Sequence, residues 1–133
     1  MEEASIITQI INGDIPAHKV YENDHTLAFL DIHPSRPGHT LVVPKKQVAY
    51  IWDMEPGDYD ELMRTAQKVG KVMRRELGVP FVGIKVVGVD VPHTHVHLIP
   101  FSTVDEYRQE ADLLSEPDHE TLAVMAQRLH FDD

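Results

Sequence analysis

Residues 92–100 carry the most informative pattern in the chain, Pro92-His93-Thr94-His95-Val96-His97-Leu98-Ile99-Pro100. Side chains alternate between the two faces of an extended strand, so the pattern predicts three imidazoles on one face and Thr94, Val96 and Leu98 on the other. A buried histidine needs a hydrogen-bond partner for each ring nitrogen, so a face of three histidines is poorly suited to plain packing. The stretch therefore favours a functional surface.

Two kinds of chemistry fit such a face. Neighbouring histidines on one strand face lie about 7 Å apart, so His93 with His95, or His95 with His97, could share a zinc ion. All three on one ion would require a bent strand, because His93 and His97 would be roughly 13 Å apart. The other kind is catalytic, with one neutral imidazole as the nucleophile and its neighbours handling orientation and proton transfer.

Length and composition are those of an ordinary single-domain protein. The 133 residues are 42% hydrophobic and 26% charged, which is enough for one sizeable core. The net charge of −10 disfavours nonspecific nucleic-acid binding and adhesion to an anionic membrane. The chain has no cysteine, which excludes a disulfide framework and a thiolate zinc site. The start, Met1-Glu2-Glu3, precedes no long apolar run, so we expect no signal peptide, no membrane span and a cytoplasmic location.

The periodicity of apolar residues predicts an α+β fold, with a five-stranded antiparallel meander sheet, a short N-terminal helix and one long helix. Ser5 is expected to cap the short helix and Gly13 to end it. The long helix is predicted from Asp58 to Leu77, with Gly78 as its stop. Strands are expected at residues 18–22, 26–31, 39–43, 81–87 and 91–101, and the first two form a hairpin.

Residues 102–133 are predicted to be a C-terminal tail that belongs to the same single-domain chain as the main unit, residues 1–101. The tail is acidic and poorly periodic up to Asp118, after which Leu122, Met125, Ala126 and Leu129 recur at helical spacing. This helix could dock on the domain, dock on a partner subunit, or form a solvated end.

Three segments of the chain resemble the histidine triad (HIT) family. His93-Thr94-His95-Val96-His97-Leu98-Ile99 matches the family's alternation of histidine and apolar residues, with Thr94 at the first spacer. The stretch from Asp31 to Lys45 resembles the family's first block, and Ser5 to Ala17 resembles its N-terminal helix and turn. The resemblance covers residues 5–101 and is closest to the bacterial Hint-like nucleotide-binding branch. It implies that residues 1–101 form a HIT-like domain.

The resemblance implies a nucleotide-binding hydrolase or transferase. Such an enzyme cleaves a phosphoramidate or phosphoanhydride bond at the α-phosphate of a purine nucleotide, through a nucleotidyl-histidine intermediate. In this frame His95 is the nucleophile, His97 assists proton transfer on the leaving-group side, and His93 orients the ring set. The upstream His39 joins the same network.

Nucleotide-binding residues can also be carried over from the resemblance. Asp31 matches the acidic residue that holds the ribose hydroxyls, and a carboxylate can accept two hydrogen bonds from a vicinal diol. The apolar positions around the base match Phe29, Ile32, Ile6, Ile7, Ile10 and Leu41. The implied ligand is a purine nucleoside monophosphate or one of its conjugates, with no resident cofactor. The resemblance also implies a homodimer joined through the long helix and the strand edges.

The chain departs from the family pattern in two places. Many bacterial relatives hold a structural zinc ion with two cysteines, at positions that correspond here to Ser5 and Thr8, and with a histidine at the position of Gln47. All three ligands are absent from this chain, so we expect no metal there. The loop from Val86 to Val91 looks shortened, and Val89 or Asp90 occupies the place of a leaving-group contact, where a carboxylate would repel a phosphate. The competing hypotheses are therefore a non-catalytic nucleotide-binding or regulatory protein and, third, a metal-binding protein.

Overall fold

A computed structural model describes residues 3–133 of the chain, so Met1 and Glu2 of the acidic start lie outside the described residues. In chain order the elements are α1 (Ile6–Ile11), β1 (Lys19–Glu22), β2 (Thr26–Leu30), β3 (Thr40–Pro44), a 3₁₀ turn (Ile51–Asp53), α2 (Pro56–Leu77), β4 (Phe81–Lys85), β5 (Val96–Phe101), α3 (Val104–Tyr107) and α4 (His119–Leu129). Within this described part, no helix is long and apolar enough to cross a membrane.

The five strands form one antiparallel sheet in the order β1-β2-β3-β5-β4, which confirms the α+β fold class. The first three strands follow one another as a meander. The last two strands are not in chain order. After β3 the chain passes through α2 to β4 at the edge of the sheet, and β5 then returns to lie between β3 and β4. As a result, β5 and its histidine lie inside the sheet, with a neighbouring strand on each side.

The last strand is shorter than the sequence pattern predicts. It begins at Val96 instead of Val91, and β4 ends at Lys85 instead of Val87. The backbone N–H of Thr94 donates to the Val48 carbonyl at 2.7 Å, so this part of the chain pairs with a loop and not with a strand. Of the three clustered histidines, His97 alone lies in the sheet. Strand alternation therefore does not place the other two.

The sheet carries a core on each face. On one face, α2 and α4 pack against the strands, and Leu122, Ala126 and Leu129 of α4 belong to this main core. The C-terminal helix thus docks on its own domain. On the other face α1 covers a smaller core that includes Ile7 and Phe29. Burying both faces removes enough apolar surface from water to stabilise the sheet.

A glycine turn leads into β3 and positions the residue after it. Gly38 has a φ of +94°, and a Cβ atom there would lie 2.7 Å from Leu77 Cδ1 at the end of α2. Only glycine adopts this backbone conformation freely and also leaves room for the helix. The turn places His39 at the start of β3, with its carbonyl bonded to the N–H of Asp31 at 3.0 Å.

Candidate active site

One row of cross-strand pairs connects the small core to the sheet face that carries His97. The strand register pairs Phe29 with Leu41, Leu41 with His97, and His97 with Lys85. Directly paired residues project from the same face of a sheet, so the apolar side chains under α1 and the histidine of β5 share one face. Lys85 brings a positive charge to the end of this row.

His39 and His97 form a hydrogen-bonded pair whose protons can be assigned. The N–H of Ser35 donates to Nδ1 of His39 at 3.1 Å, so that nitrogen carries a lone pair. Nε2 of His39 then carries the proton of the neutral ring and donates to Nδ1 of His97 at 2.9 Å. Because Nδ1 of His97 accepts this bond, the single proton of the neutral His97 ring is on Nε2, where it is free to serve as a proton donor.

Both rings of this pair are neutral at pH 7. Burial, helped by the positive charge of Lys85, lowers the pKa of His39 to about 4. Burial also lowers the pKa of His97 to about 4, and the neighbouring His39 and His95 act in the same direction. Desolvation disfavours the charged form of an imidazole, so the assigned tautomers are the ones present in neutral solution.

His95 is held with its reactive nitrogen unprotonated. Its Nδ1 lies 2.8 Å from the carbonyl oxygen of His93, and a carbonyl oxygen only accepts, so Nδ1 carries the proton. In the neutral ring the lone pair is then on Nε2, which is the nucleophilic atom. The ring centroids of His95 and His97 are 5.1 Å apart, so a lone pair and a proton donor are close neighbours.

His93 does not share a free surface with the other two imidazoles, contrary to the strand-based prediction. It is fully buried, and both of its ring nitrogens are used inside the protein. Nε2 lies 2.7 Å from the carbonyl oxygen of Pro44, and Nδ1 lies 2.9 Å from the hydroxyl of Ser5. Burial lowers the pKa of His93, so the ring is neutral. This leaves it a supporting position beneath His95.

Asp31 lies beside the histidine pair. Its Oδ1 accepts from the N–H of His33 at 2.9 Å, while Oδ2 is 3.7 Å from Nε2 of His39. Burial raises the pKa of Asp31. Oδ2 has no hydrogen bond within the described residues, so it can accept from ligand hydroxyls.

The six apolar residues expected around the base fall into two groups. Four of them belong to the small core beneath α1: Ile7, Phe29, Ile10 and Leu41. The other two, Ile6 and Ile32, are 52% and 41% exposed and could contact a ligand directly. Ile7 and Phe29 are buried and can only support the surface from below, whereas Ile10 and Leu41 are partly buried.

The C-terminal tail forms one wall of the cavity beside the histidines. This cavity has a volume of ≈ 630 Å³, and its lining includes Asp31, His39, His97 and Lys85 together with residues 107–111 of the tail. The Arg36 guanidinium holds the tail in place, since Nη1 donates to Gln109 Oε1 at 2.9 Å and Nη2 is 3.2 Å from Glu106. A volume of this size suits a small-molecule ligand.

Among residues 3–133, neither histidine pair expected for metal binding belongs to a group of three or more potential metal ligands. Within the described part of the chain, the three residues whose ligand atoms lie within 4.8 Å of one another are Asp31, His39 and His97. The facing nitrogens of the two histidines are already joined by a hydrogen bond, which a metal ion would have to replace. The nitrogens of His93 are occupied as well.

Several residues of the site are absent from the sequence-based predictions. Ser35, four residues before His39, is a local signal that a turn analysis could have found. Lys85 lies in the site because the register of β4 with β5 pairs it with His97, and the tail lies there because Arg36 bonds to it. Tyr107 packs over Gly83 of β4, where a Cβ atom would lie only 2.7 Å from the tyrosine ring. None of these three contacts has a sequence signature.

Comparison with known proteins agrees with this geometry. The model of the HIT domain family matches residues 12–104. An uncharacterised HIT-like protein of Methanocaldococcus jannaschii is 42% identical over 100 residues, covering 71% of this chain and 77% of the relative. The adenosine 5'-monophosphoramidase of Saccharomyces cerevisiae is 34% identical over 101 residues, covering 75% and 64%. The crystal structure of a HIT-like protein from Bartonella henselae superposes with a TM-score of 0.85 at 27% identity, covering 97% and 96%.

The neutral His39–His97 pair makes stability dependent on pH. Each folded-state pKa of about 4 lies below the ordinary value of 6.5, so the unfolded chain binds more protons between these values. The stabilisation is complete above pH 6.5 and is lost as pH falls toward 4, at up to about 1.4 kcal/mol per pH unit for each histidine. Urea denaturation from pH 7.5 to 4 should show this fall.

The His39→Gln/His97→Gln double variant should show a shallower fall over the same pH range. The matched control is His25→Gln, which removes an exposed histidine from the β1–β2 turn and should keep the wild-type slope. Equal slopes for the double variant and the wild type would contradict the assignment of two neutral buried rings.

Proposed function

Because the chain belongs to the HIT family, whose members are nucleotide-binding hydrolases and transferases, we propose that it cleaves purine nucleoside phosphoramidates through a nucleotidyl-histidine on His95. The observation that carries the proposal is the pair of complementary ring nitrogens in the site. His95 presents a lone pair on Nε2, and His97 presents a proton on Nε2. A nucleophile next to an acid is the arrangement that displacement at phosphorus requires.

The reaction follows in two balanced steps. In the first step, the Nε2 lone pair of His95 forms a bond to the α-phosphorus while the bond to the leaving amine breaks. The amine takes the proton on Nε2 of His97 and leaves neutral, and solvent water returns a proton to that nitrogen, so the His97 ring stays neutral while the His95 ring carries the positive charge of the new bond. In the second step, a water oxygen attacks phosphorus, the bond to His95 breaks, and the proton that the water loses passes through Nε2 of His97 to solvent. The product is a nucleoside monophosphate, and both rings return to their starting tautomers.

The surroundings of the two rings fit a ribonucleotide. Asp31 can accept hydrogen bonds from the vicinal ribose hydroxyls. Its pKa is raised because the carboxyl is largely buried, so a ribose that it binds would also be shielded from water. Ile6 and Ile32 offer exposed apolar surface for a base. Lys85 supplies a positive charge at the end of the row that contains His97, which can offset the negative charge of the phosphate.

The carboxylate of Asp90 favours a phosphoramidate over an anhydride. Its Oδ1 lies 3.8 Å from Nε2 of His95, and the side chain is 75% exposed in the loop before the triad. A second phosphate in the leaving group would bring another negative charge to this carboxylate, whereas an amine would not. The match to a yeast enzyme named as an adenosine 5'-monophosphoramidase supports the same choice.

Replacing the nucleophile should abolish turnover without abolishing binding. We expect His95→Ala and His95→Asn to release AMP from adenosine 5'-phosphoramidate at least ~10³-fold more slowly than the wild type, because both variants lack the ring nitrogen that forms the covalent intermediate. Affinity for AMP, measured by calorimetry, should change much less. His25→Ala, in an exposed turn, is the matched control.

Two outcomes would contradict the proposal. Wild-type protein that binds AMP but releases none from any phosphoramidate or anhydride would be a nucleotide-binding protein and not an enzyme. Variants at His95 that retain wild-type turnover would place the nucleophile elsewhere.

We also propose that the chain forms a homodimer through α2 and the β4 edge. β4 is one of the two edge strands of the sheet, and its Phe81 and Ile84 are 52% and 55% exposed. A groove of ≈ 710 Å³ runs between α2 and β4, with Met63, Val82 and Ile84 among its lining residues. An unprotected edge strand with exposed apolar side chains is a surface on which a second copy can pair.

A single charge in this surface should dissociate the dimer. Ile84→Glu would bury a carboxylate between the two copies, so we expect sedimentation velocity to show a monomer where the wild type sediments as a dimer. Val124→Glu is the matched control, because Val124 is 67% exposed on α4, away from this edge. An unchanged sedimentation coefficient for Ile84→Glu, with unchanged circular dichroism, would rule out this interface.

A further inference from the structure

Two hydroxyl side chains contact the buried ring of His93, and a third polar side chain, distant in sequence, holds them in place. Ser5 is the N-cap of α1, Thr8 lies in its first turn, and Gln47 lies in the loop after β3. The Ser5 hydroxyl is 2.9 Å from Nδ1 of His93, and that of Thr8 is 3.2 Å from the same nitrogen. We call Ser5, Thr8 and Gln47 the polar cluster.

The hydrogen bonds of the polar cluster run in one direction. Gln47 Oε1 is an acceptor that receives the N–H of Ser5 at 2.8 Å and the hydroxyl of Thr8 at 2.8 Å. The Gln47 side-chain amide donates to the carbonyl of Glu3 at 2.9 Å, which agrees with this orientation. The only proton of Thr8 Oγ1 is thus used on Gln47, and it cannot be given to His93.

The remaining hydroxyl proton, that of Ser5, is directed to His93. Ser5 Oγ accepts the N–H of Thr8 at 2.9 Å, so its own proton is free to donate. Nδ1 of His93, at 2.9 Å, is a nearer acceptor than the Thr8 oxygen, at 3.3 Å. His93 therefore has its lone pair on Nδ1 and its proton on Nε2, in agreement with the 2.7 Å bond from Nε2 to the Pro44 carbonyl.

The backbone of His93 connects its fixed ring to the proposed nucleophile, His95. The carbonyl of His93 accepts the Nδ1–H of His95 at 2.8 Å, and this bond leaves the lone pair of His95 on Nε2. The His93 ring is bonded at both ends, which fixes the peptide that carries this carbonyl. A continuous set of bonds thus leads from the start of α1 to the reactive nitrogen.

We propose that Ser5, Thr8 and Gln47 are positioning residues, which hold His93 in one tautomer and thereby keep the Nε2 lone pair of His95 aimed at the phosphorus. The role rests on the proposed function, since it concerns the same nucleophile. A hydroxyl that donates to one ring nitrogen while a carbonyl accepts from the other admits a single tautomer. A small error in the direction of a nucleophile is enough to lower its rate.

The simpler role for Ser5 is to cap α1, and one set of substitutions separates the two. Ser5→Ala removes both the cap and the donor. Ser5→Asp keeps the cap, because a carboxylate accepts the N–H of Thr8, but it cannot donate to His93 and favours a proton on Nδ1. Ser5→Thr keeps both functions. Asp118→Ala is the control, since Asp118 caps α4 by accepting the N–H of Thr121 at 3.1 Å.

The first readout is turnover of adenosine 5'-phosphoramidate against affinity for AMP. We expect kcat to fall about tenfold or more in both Ser5→Ala and Ser5→Asp, with the Kd for AMP within about twofold of the wild type. Ser5→Thr should retain the wild-type kcat, and Asp118→Ala should lower the Tm alone. Thr8→Val should lower kcat by about threefold, because it leaves the donor in place but no longer held by Gln47.

The second readout is the tautomer of each ring, from the ¹⁵N chemical shifts of labelled protein without substrate. The wild type should show His93 as the Nε2–H form and His95 as the Nδ1–H form. Ser5→Asp should move the His93 proton toward Nδ1. Ser5→Ala, in which the Pro44 carbonyl still accepts from Nε2, should keep the tautomer but shift the Nδ1 resonance, because that nitrogen has lost its hydrogen bond. Full recovery of kcat in Ser5→Asp, or ¹⁵N shifts of His93 that are unchanged in both variants, would overturn the proposal. If the wild type does not hydrolyse the substrate, the proposed function fails, and the ¹⁵N shifts alone decide the positioning role.

Discussion

A neutral imidazole has one N–H and one lone pair, and each histidine of the candidate site has a hydrogen-bond partner that decides which ring nitrogen carries the proton. The N–H of Ser35 donates to the lone pair on Nδ1 of His39. The His93 carbonyl accepts the Nδ1–H of His95, and the Pro44 carbonyl accepts the Nε2–H of His93. Burial lowers the pKa of His39, His93 and His97, which keeps those three rings neutral at pH 7. The chemistry of the site depends on this constraint, because a nucleophile and an acid made of the same residue type differ only in where the proton sits.

The fold supplies the rigid elements on which these partners sit. β5 lies between β3 and β4, so His97 is fixed by the ladders on both sides, and the Gly38 turn brings His39 to the same level. α1 packs on the small core beneath Phe29 and Leu41 and carries Ser5 to the ring of His93. The tail, tied to Arg36, closes the cavity from the side. The stability of the fold and the geometry of the candidate site therefore depend on the same contacts.

The sequence alone predicts the fold class, which the structure confirms, and it singles out the histidines that line the candidate site, since apolar periodicity and alternating histidines are local signals. The catalytic role of these histidines stays a prediction. The predicted strand includes His97, as the structure shows, but it also includes His93 and His95, which lie before the strand begins at Val96. The backbone of Thr94 bonds to the loop residue Val48, and the periodicity of the sequence does not predict this contact. The division into residues 1–101 and a tail stays a prediction. Lys85 depends on strand register, and the polar cluster joins Ser5 to residues 42 and 88 positions away. Such long-range contacts are set by the folded core and not by local pattern.

The central claim is that His95 forms a covalent bond to the nucleotide, and rapid-quench mass spectrometry tests it most directly. Wild-type protein is mixed with adenosine 5'-phosphoramidate, quenched under basic conditions that preserve a phosphorus–nitrogen bond, digested and mapped. The account predicts one adenylyl group on the peptide that contains His95, rising before AMP is released and decaying at the rate of turnover. Steady AMP release with no adduct at any time, or with the adduct on another residue, would contradict it.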